Sequence, residues 1–360
     1  MQHIHIKKLN YSEGVLGLIF FIAAAAAILG FPSTTSKGAY EGLKISSSII
    51  IPSLFPFTVF SLFFVKSGGL FIVSKKINKI TQKLFGIGGT EFSVIIISLL
   101  GGYSVGAKIV SELKVTNQID EYYAKQLLKY CANPSPAFFI NIIGINILGS
   151  KAAGVLLLIS NLVACLFLNI INLNITGCQN QFAKNRYKKA PLSVAFVESV
   201  TEGAKIIIGI SAFVVLFSAV AAVLKGVIKN DFYYSLLCPF LEISFGVTEV
   251  KSICLAPALY SFLLCFGGLS TICQIKQAAG KISAGFGFII LHRIIHGALS
   301  YGISFLLFKI FPIVKETISN GVTVNIGEMP LFVPSVALII FAVVFLLFIN
   351  GENEKLNLKS

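Results

Sequence analysis

Charged side chains are scarce in this sequence. They make up 12% of its 360 residues, whereas a soluble domain carries about 25%. Apolar residues reach 56%, and the mean hydropathy is +0.87. A water-soluble fold could not cover so much apolar side chain with so few charges, so the soluble classes are excluded.

Several other signatures are missing. The period-2 alternation typical of membrane barrel strands is weak. The seven cysteines contain no Cys-x-x-Cys pair, and most lie in apolar runs, as small core residues do. We find no Ser/His/Asp set, phosphate loop or nucleotide fingerprint. His292 and His296 lack the glutamate that a metalloprotease helix carries after its first histidine. The sequence therefore predicts no enzyme, no cofactor and no metal.

Long apolar runs dominate what is present. Several reach the roughly 20 residues that a helix needs to cross a bilayer, so the sequence predicts an all-α polytopic membrane protein. The nine candidate segments are residues 14–31, 39–65, 92–110, 134–149, 152–173, 194–223, 253–273, 284–308 and 331–349. The first resembles a signal peptide but is long enough to be read as a span. The basic stretch at residues 71–85 is predicted to lie at the membrane interface.

Two short motifs each occur twice. Gly-Gly-x-Ser interrupts apolar runs at residues 101–104 and 267–270, and Glu-Gly-x-Lys precedes it at residues 41–44 and 202–205, at nearly equal spacings. The chain therefore looks like two diverged copies, at residues 39–150 and 200–310. The remaining predicted parts are a first span (1–38), a linking helix with a basic loop (151–199) and a last span with a tail (311–360).

The net charge of +14 is interpreted as a topology signal, because the basic residues lie in short loops between apolar runs. If all nine segments cross the membrane, the basic residues are distributed almost equally between the two sides. If the two Gly-Gly segments are re-entrant hairpins, more basic residues lie inside than outside. That arrangement leaves about seven full spans and makes the copies an inverted repeat, as in secondary transporters whose site lies where two broken helices meet.

The candidate ligand-binding residues lie at these breaks and at polar positions within apolar runs. Glycines let a helix stop and restart, a serine can cap the restarted half, and its free amides favour an anion. Ionisable groups at membrane depth tend to face a cavity or a partner. The predicted set is Gly101, Gly102, Ser104, Lys108, Asn133, Ser135, Glu202, Lys205, Gly267, Gly268, Ser270, Gln274, His292, Arg293 and His296.

Some of these predictions concern specific geometry. Glu202 and Lys205 are expected to pair across one helical turn. Asn133 is expected to cap the helix that follows it. Arg293 needs an acidic partner or an anionic ligand, and Glu242 and Glu249 are its candidate counter-charges. Ordinary interpretations stay open: close helix packing for the glycines, charges at helix ends, and a plain helix start after a loop.

Three stretches also resemble a known family. They are PSLFPF at residues 52–57, GGYSVGAK at residues 101–108 and CANPSPAF at residues 131–138. They resemble the YlbJ family of sporulation integral membrane proteins, over residues 31–308. That family is grouped with nucleoside-recognition (Gate) domain proteins, which include spore maturation proteins and are similar to concentrative nucleoside transporters. The resemblance implies a Gate-type fold, a role in spore cortex formation and a membrane that surrounds the forespore.

Three functions are left open. The leading one is a transporter-like protein that binds or moves a small polar or anionic solute, nucleoside-like or a precursor, at the hairpin tips. The alternative is a non-transporting scaffold for spore-envelope assembly. A third is a membrane-embedded enzyme that acts on lipid-linked precursors through His292 and His296. The expected partners are membrane lipid and the solute, with a second copy of the chain or spore-envelope proteins left open. No nucleic acid is expected.

Overall fold

The computed structural model describes residues 28–176, 190–251 and 255–311, together with isolated positions between 15 and 26. Residues 1–316 cluster as one unit. The predicted last span lies outside the described residues, and the predicted first span lies largely outside them. In the described part every regular element is a helix, and the all-α polytopic class is confirmed.

Thirteen α-helices have their bounds within the described ranges and are numbered in chain order. They are α1 (Pro32–Ile45), α2 (Ile51–Lys66), α3 (Gly69–Phe85), α4 (Gly89–Gly101), α5 (Tyr103–Val115), α6 (Glu121–Leu128), α7 (Lys151–Thr176), α8 (Leu192–Val227), α9 (Asp231–Leu241), α10 (Ile243–Val250), α11 (Pro257–Phe266), α12 (Gly268–Ala279) and α13 (Phe286–Ile310). Two π-helical segments complete the described part: Ser46–Ile50, which joins α1 to α2, and Phe138–Ile147, which precedes α7.

Five described stretches are long and apolar enough to cross a membrane. They are Pro32–Lys66, Lys151–Ile171, Leu192–Val227, Pro257–Ala279 and Phe286–Ile310, and α3 with α4, bent by 93°, would be a sixth. Four of the five coincide with predicted full spans. The predicted span at residues 134–149 is represented by a π-helical segment of 10 residues, which is too short to cross alone.

The first spans of the two copies pack antiparallel along their length. A Cβ on Gly38, in the first quarter of the span Pro32–Lys66, would lie 2.5 Å from the Cβ of Ala222, near the end of α8. At the other end, Lys66 Nζ lies 2.9 Å from Glu198 Oε2, near the start of α8. The two Glu-Gly-x-Lys helices therefore run in opposite directions, as an inverted repeat requires.

The first Gly-Gly motif turns the chain back on itself. Gly102, with a φ of 85°, separates α4 from α5, a backbone conformation that glycine adopts without a steric penalty. A Cβ on Gly106 would lie 2.6 Å from the Cβ of Ser98. Since these residues lie on opposite arms, α4 and α5 form a tight helical hairpin at the predicted position.

The second Gly-Gly motif breaks its helix without turning it back. Gly267 and Gly268 have φ values of 83° and 78°, yet α11 and α12 together form one candidate span. A Cβ on Gly268 would lie 2.7 Å from the carbonyl oxygen of Pro239, so the end of α9 fills the space beside the break. The structure therefore differs here from the predicted re-entrant hairpin.

As a consequence, α5 and α12 run in the same direction. The hydroxyl of Tyr103, at the start of α5, donates to the carbonyl of Leu264, which precedes α12. Lys114, near the end of α5, donates over 2.8 Å to the carbonyl of Lys281, which follows α12. The inversion thus holds for the first span of each copy and not for the half-helices after the breaks.

This arrangement predicts the outcome of thiol labelling. In a cysteine-free background, single cysteines at Asn117 and Lys281, both exposed, should react with a membrane-impermeant reagent from the same side. A cysteine at Lys229, also exposed and beyond the far end of α8, should react from the opposite side and serves as the control. Labelling of Asn117 and Lys281 from opposite sides would contradict the observed path of α12 and favour a complete inverted repeat.

Candidate functional site

Residues 129–135 leave the helical conformation while most of them stay buried. Buried backbone and amide groups need partners inside the protein. Asn133 supplies several: its Nδ2 donates to Ser98 Oγ (2.8 Å) and to the carbonyl of Tyr130 (3.0 Å), and its Oδ1 accepts from the Cys165 thiol (2.9 Å). Asn133 therefore ties the hairpin arm α4 to the span α7.

The predicted capping role of Asn133 is wrong. The helical backbone after it begins at Pro136 and continues into the π-helical segment, so Ser135 and not Asn133 directly precedes the helix. The residue before a proline disfavours helical backbone angles, so Pro136 keeps Ser135 out of the helix, and Asn133 lies two residues further upstream. Ser135 is half-buried, and its carbonyl accepts the amide of Phe138 at 3.0 Å.

Arg293, on α13, is buried against this non-helical stretch. Its side chain is 1% exposed. Its Nη1 donates to the carbonyl of Ala132 and lies 3.3 Å from Nδ1 of His296. The guanidinium carbon lies 5.5 Å from the centre of the Tyr103 ring, within the range of a cation–π interaction. Tyr103 is the first residue of α5, so Arg293 adjoins the tip of the hairpin.

Within the described part of the chain, the positive charge of Arg293 has no carboxylate partner. None of the ion pairs among the described residues includes it. Its Nε and Nη2 find no hydrogen-bond acceptor in the described part of the chain. The candidate counter-charges are engaged elsewhere: Glu242 accepts the amide of Phe245 (2.6 Å), and Glu249 pairs with Lys225 (3.0 Å).

The two histidines of α13 face different surroundings. His296 is fully buried, and its Nε2 lies 3.4 Å from the Cys165 sulfur. His292 is half-buried, and its Nδ1 lies 2.7 Å from the carbonyl oxygen of Phe288 on its own helix. Among the described residues no group of three His, Cys, Asp or Glu could hold a metal ion. Of the two, only His296 contacts Arg293.

A second polar cluster lies where α2, α5 and α8 meet. Lys66, whose side chain is 8% exposed, lies 2.9 Å from Glu198, 3.1 Å from Glu202 and 3.8 Å from Glu112. Lys108 lies 3.2 Å from Glu202 and 3.6 Å from Glu112. Two lysines and three glutamates thus form one continuous network, which fastens the second arm of the hairpin to the antiparallel spans. We call it the ion-pair network.

The predicted pairing of Glu202 with Lys205 is wrong. Glu202 points toward α2 and α5, where Lys66 and Lys108 neutralise it, whereas Lys205 is exposed. Positions three apart on a helix can still face different neighbours when one side of the helix is packed. Lys66, which lies at the end of an apolar run, was not predicted from the sequence as a site residue. The sequence signal that pointed to this network was the i,i+4 spacing of Lys108 and Glu112, which places the two side chains on one helix face.

The serines of the two Gly-Gly motifs do not cap the restarted helices. Gly102 occupies the N-cap of α5, and Ser104 lies two residues further on, buried and without a hydrogen-bond partner for its hydroxyl among the described residues. Gly267 occupies the N-cap of α12. Ser270 is buried within that helix and accepts from Nε2 of Gln274 at 3.1 Å.

A third cluster lies at the end where α5 and α12 emerge. Lys114 pairs with Glu121, and Glu121 Oε1 accepts the amide of Ser283 at 2.7 Å. Burial alone would raise the pKa of Glu121, but the bonds from Lys114 and the Ser283 amide outweigh it and lower the pKa below its ordinary value. The carboxylate of Glu121 thus joins the start of α6 to the loop after α12.

The structure therefore brings only part of the predicted set together. Tyr103, half-buried at the break between Gly102 and Ser104, lies with the buried Asn133, Arg293 and His296 in one layer around the hairpin tip, called the buried layer below. Lys108 and Glu202 belong to the ion-pair network instead. Of this buried layer, Tyr103 was not selected from the sequence as a site residue.

The chain is similar to the sporulation integral membrane protein YlbJ of Bacillus subtilis (strain 168). The two are 20% identical over 332 residues, which cover 81% of each chain. No family model matches the chain, and no solved structure matches it. The resemblance to the YlbJ family is thereby confirmed. Together with the apolar helices, it supports a sporulation-associated integral membrane protein.

Proposed function

We propose that this membrane protein is transporter-like and binds a small polar or anionic solute, nucleoside-like or a precursor, beside the tip of the first hairpin. It would act in spore cortex formation, from a membrane that surrounds the forespore. One observation carries the proposal: Arg293 is 1% exposed, and two of its guanidinium nitrogens have no partner among the described residues.

The energetic argument is direct. A buried charge without a partner costs several kcal/mol, and ionisable groups at membrane depth are retained where they serve a function. The tip of the hairpin adds to the positive potential near Arg293. Its second arm begins at Tyr103, whose ring lies against the guanidinium, and the first amides of a helix lack intrahelical partners.

The scaffold alternative rests on a different observation. Helix α3 exposes four lysines, Lys75, Lys76, Lys79 and Lys83. The same helix exposes the apolar side chains of Ile72, Ile80 and Leu84. Such a helix is typical of an interfacial segment that contacts lipid headgroups or another protein. If the protein is a scaffold, changes to these lysines should damage function more than changes at Arg293.

Sporulation of the native host tests the proposal. Arg293→Gln should reduce heat-resistant spores strongly while the protein still accumulates in the membrane, because the solute loses its charged contact. Lys309→Gln is the matched control, since it removes one positive charge from an exposed position of the same helix, and it should sporulate normally.

Normal sporulation of the Arg293→Gln strain would overturn the proposal. If, in addition, replacing the four α3 lysines by glutamine caused a sporulation defect, the scaffold would be favoured. Immunoblots of the membrane fraction show whether each variant accumulates.

A further inference from the structure

The guanidinium group of Arg293 has one edge that contacts the protein and one edge that has no partner among the described residues. Its Nη1 is engaged by the carbonyl of Ala132 and lies near His296. The nitrogens without partners in the described part are Nε and Nη2. These two carry N–H bonds that point in parallel from the same side of the planar group, and this edge matches the two oxygens of a carboxylate or phosphate.

We propose that the Nε and Nη2 edge of Arg293 binds an oxyanionic group of the solute through two parallel hydrogen bonds. This inference rests on the proposed function and names the chemical class of its ligand. The solute therefore carries a carboxylate or a phosphate, and an uncharged nucleoside alone does not satisfy the site.

The charge around Arg293 supports an anion over a neutral solute. The side chains that contact the guanidinium, Tyr103 and His296, carry no negative charge to offset it. The thiol of Cys165, the next side chain in the layer, donates a hydrogen bond to Oδ1 of Asn133. A neutral ligand would leave the buried guanidinium charge uncompensated, whereas an oxyanion compensates it and fills both free donors.

The orientation of the guanidinium is fixed before a ligand arrives. The carbonyl of Ala132 holds one end of the group, and the ring of Tyr103 lies against it at 5.5 Å. A fixed planar fork recognises a pair of oxygens, whereas a lysine ammonium at the same place would supply charge without two parallel donors. The hydroxyl of Ser104, buried in the adjoining first turn of α5 and without a partner among the described residues, is a candidate further donor for such a group.

Binding to the purified full-length protein tests the oxyanion. The probes are sodium phosphate, sodium acetate, sodium chloride at matched ionic strength, and uridine, with the thermal unfolding midpoint and titration calorimetry as readouts. Phosphate and acetate should raise the midpoint relative to chloride and compete for one saturable site. Arg293→Lys should weaken phosphate binding roughly tenfold or more, as expected when a charge-assisted hydrogen bond is lost. Lys309→Gln should bind phosphate as the parent does.

The outcomes separate the two proposals. If uridine binds in an Arg293-dependent manner while phosphate and acetate do not, the oxyanion is overturned and the proposed function stands. If phosphate binds equally well to the parent protein and to Arg293→Lys, the assignment to this edge is overturned. If Arg293→Lys does not fold, the competition between phosphate and acetate for the parent protein still tests the proposal. If the two anions do not compete, the proposed binding of an oxyanionic group is overturned.

Discussion

Replacing Lys66 by methionine is expected to lower the free energy of unfolding by roughly 3 kcal/mol, the lower end of the range for breaking a buried ion pair. Lys66 is the shared cation of three glutamates and is 8% exposed, whereas Glu198 is 50% exposed and Glu202 is 29% exposed. Without Lys66, only Lys108 remains to neutralise the carboxylates in the network. Because the glutamates are partly exposed, the expected loss of unfolding free energy lies at the lower end of the range for a buried ion pair.

Lys44→Met is the matched control. Lys44 lies in the same candidate span, is exposed, and forms no ion pair with another described residue, so its replacement should change stability little. Equilibrium unfolding of the purified protein in mixed micelles measures both variants. Equal unfolding free energies for the two variants would show that the ion-pair network contributes nothing to stability.

Gly106→Ala is expected to be at least as damaging, with a loss of roughly 3 kcal/mol or more from overpacking against the backbone. An added Cβ would lie 1.7 Å from the carbonyl oxygen of Cys131 and 2.6 Å from the Cβ of Ser98. No flexible side chain can move away to make room for it. The hairpin would have to open or the non-helical stretch would have to shift, and either change displaces Ala132 from Arg293.

Gly302→Ala provides the comparison for Gly106→Ala. Gly302 lies within α13, and nothing stands within 4 Å of its added Cβ. Alanine favours helix more than glycine does, so this variant should unfold at the parental midpoint or above it. The same unfolding assay applies, together with the level of protein in the membrane. Parental stability of Gly106→Ala would contradict the close contact between the hairpin and residue 131.

The sequence was a good guide to the spans and to the first break. Runs of about 20 apolar residues leave a helix few alternatives in lipid, and four described spans lie where the hydropathy placed them. The path of α12 could not be read from Gly267 and Gly268, because glycine permits a kink as readily as a reversal. The first and second breaks differ in what packs beside them: at the second break, the backbone of Pro239 lies against Gly268.

The buried layer around Arg293 and the ion-pair network were predictable only in part. Arg293 was identified from the sequence because a charged side chain within an apolar run is energetically costly and is retained where it has a function. Lys66 and Glu198 gave no such signal, since charges at the ends of apolar runs are ordinary. Their pairing depends on how α2 packs against α8. This is a tertiary contact, and the spacing of residues along the sequence does not indicate it.

The packing of Pro32–Lys66 against α8 also limits how the molecule can change shape. Gly38 and Gly42 leave no gap at one end, since an added Cβ on either would lie within 2.8 Å of α8, and Lys66 is held by two carboxylates of α8 at the other. Sliding of these spans past each other by one helical turn would break contacts at both ends together. They therefore behave as a single rigid unit, and the motion that the proposed solute binding requires must occur in the elements around it.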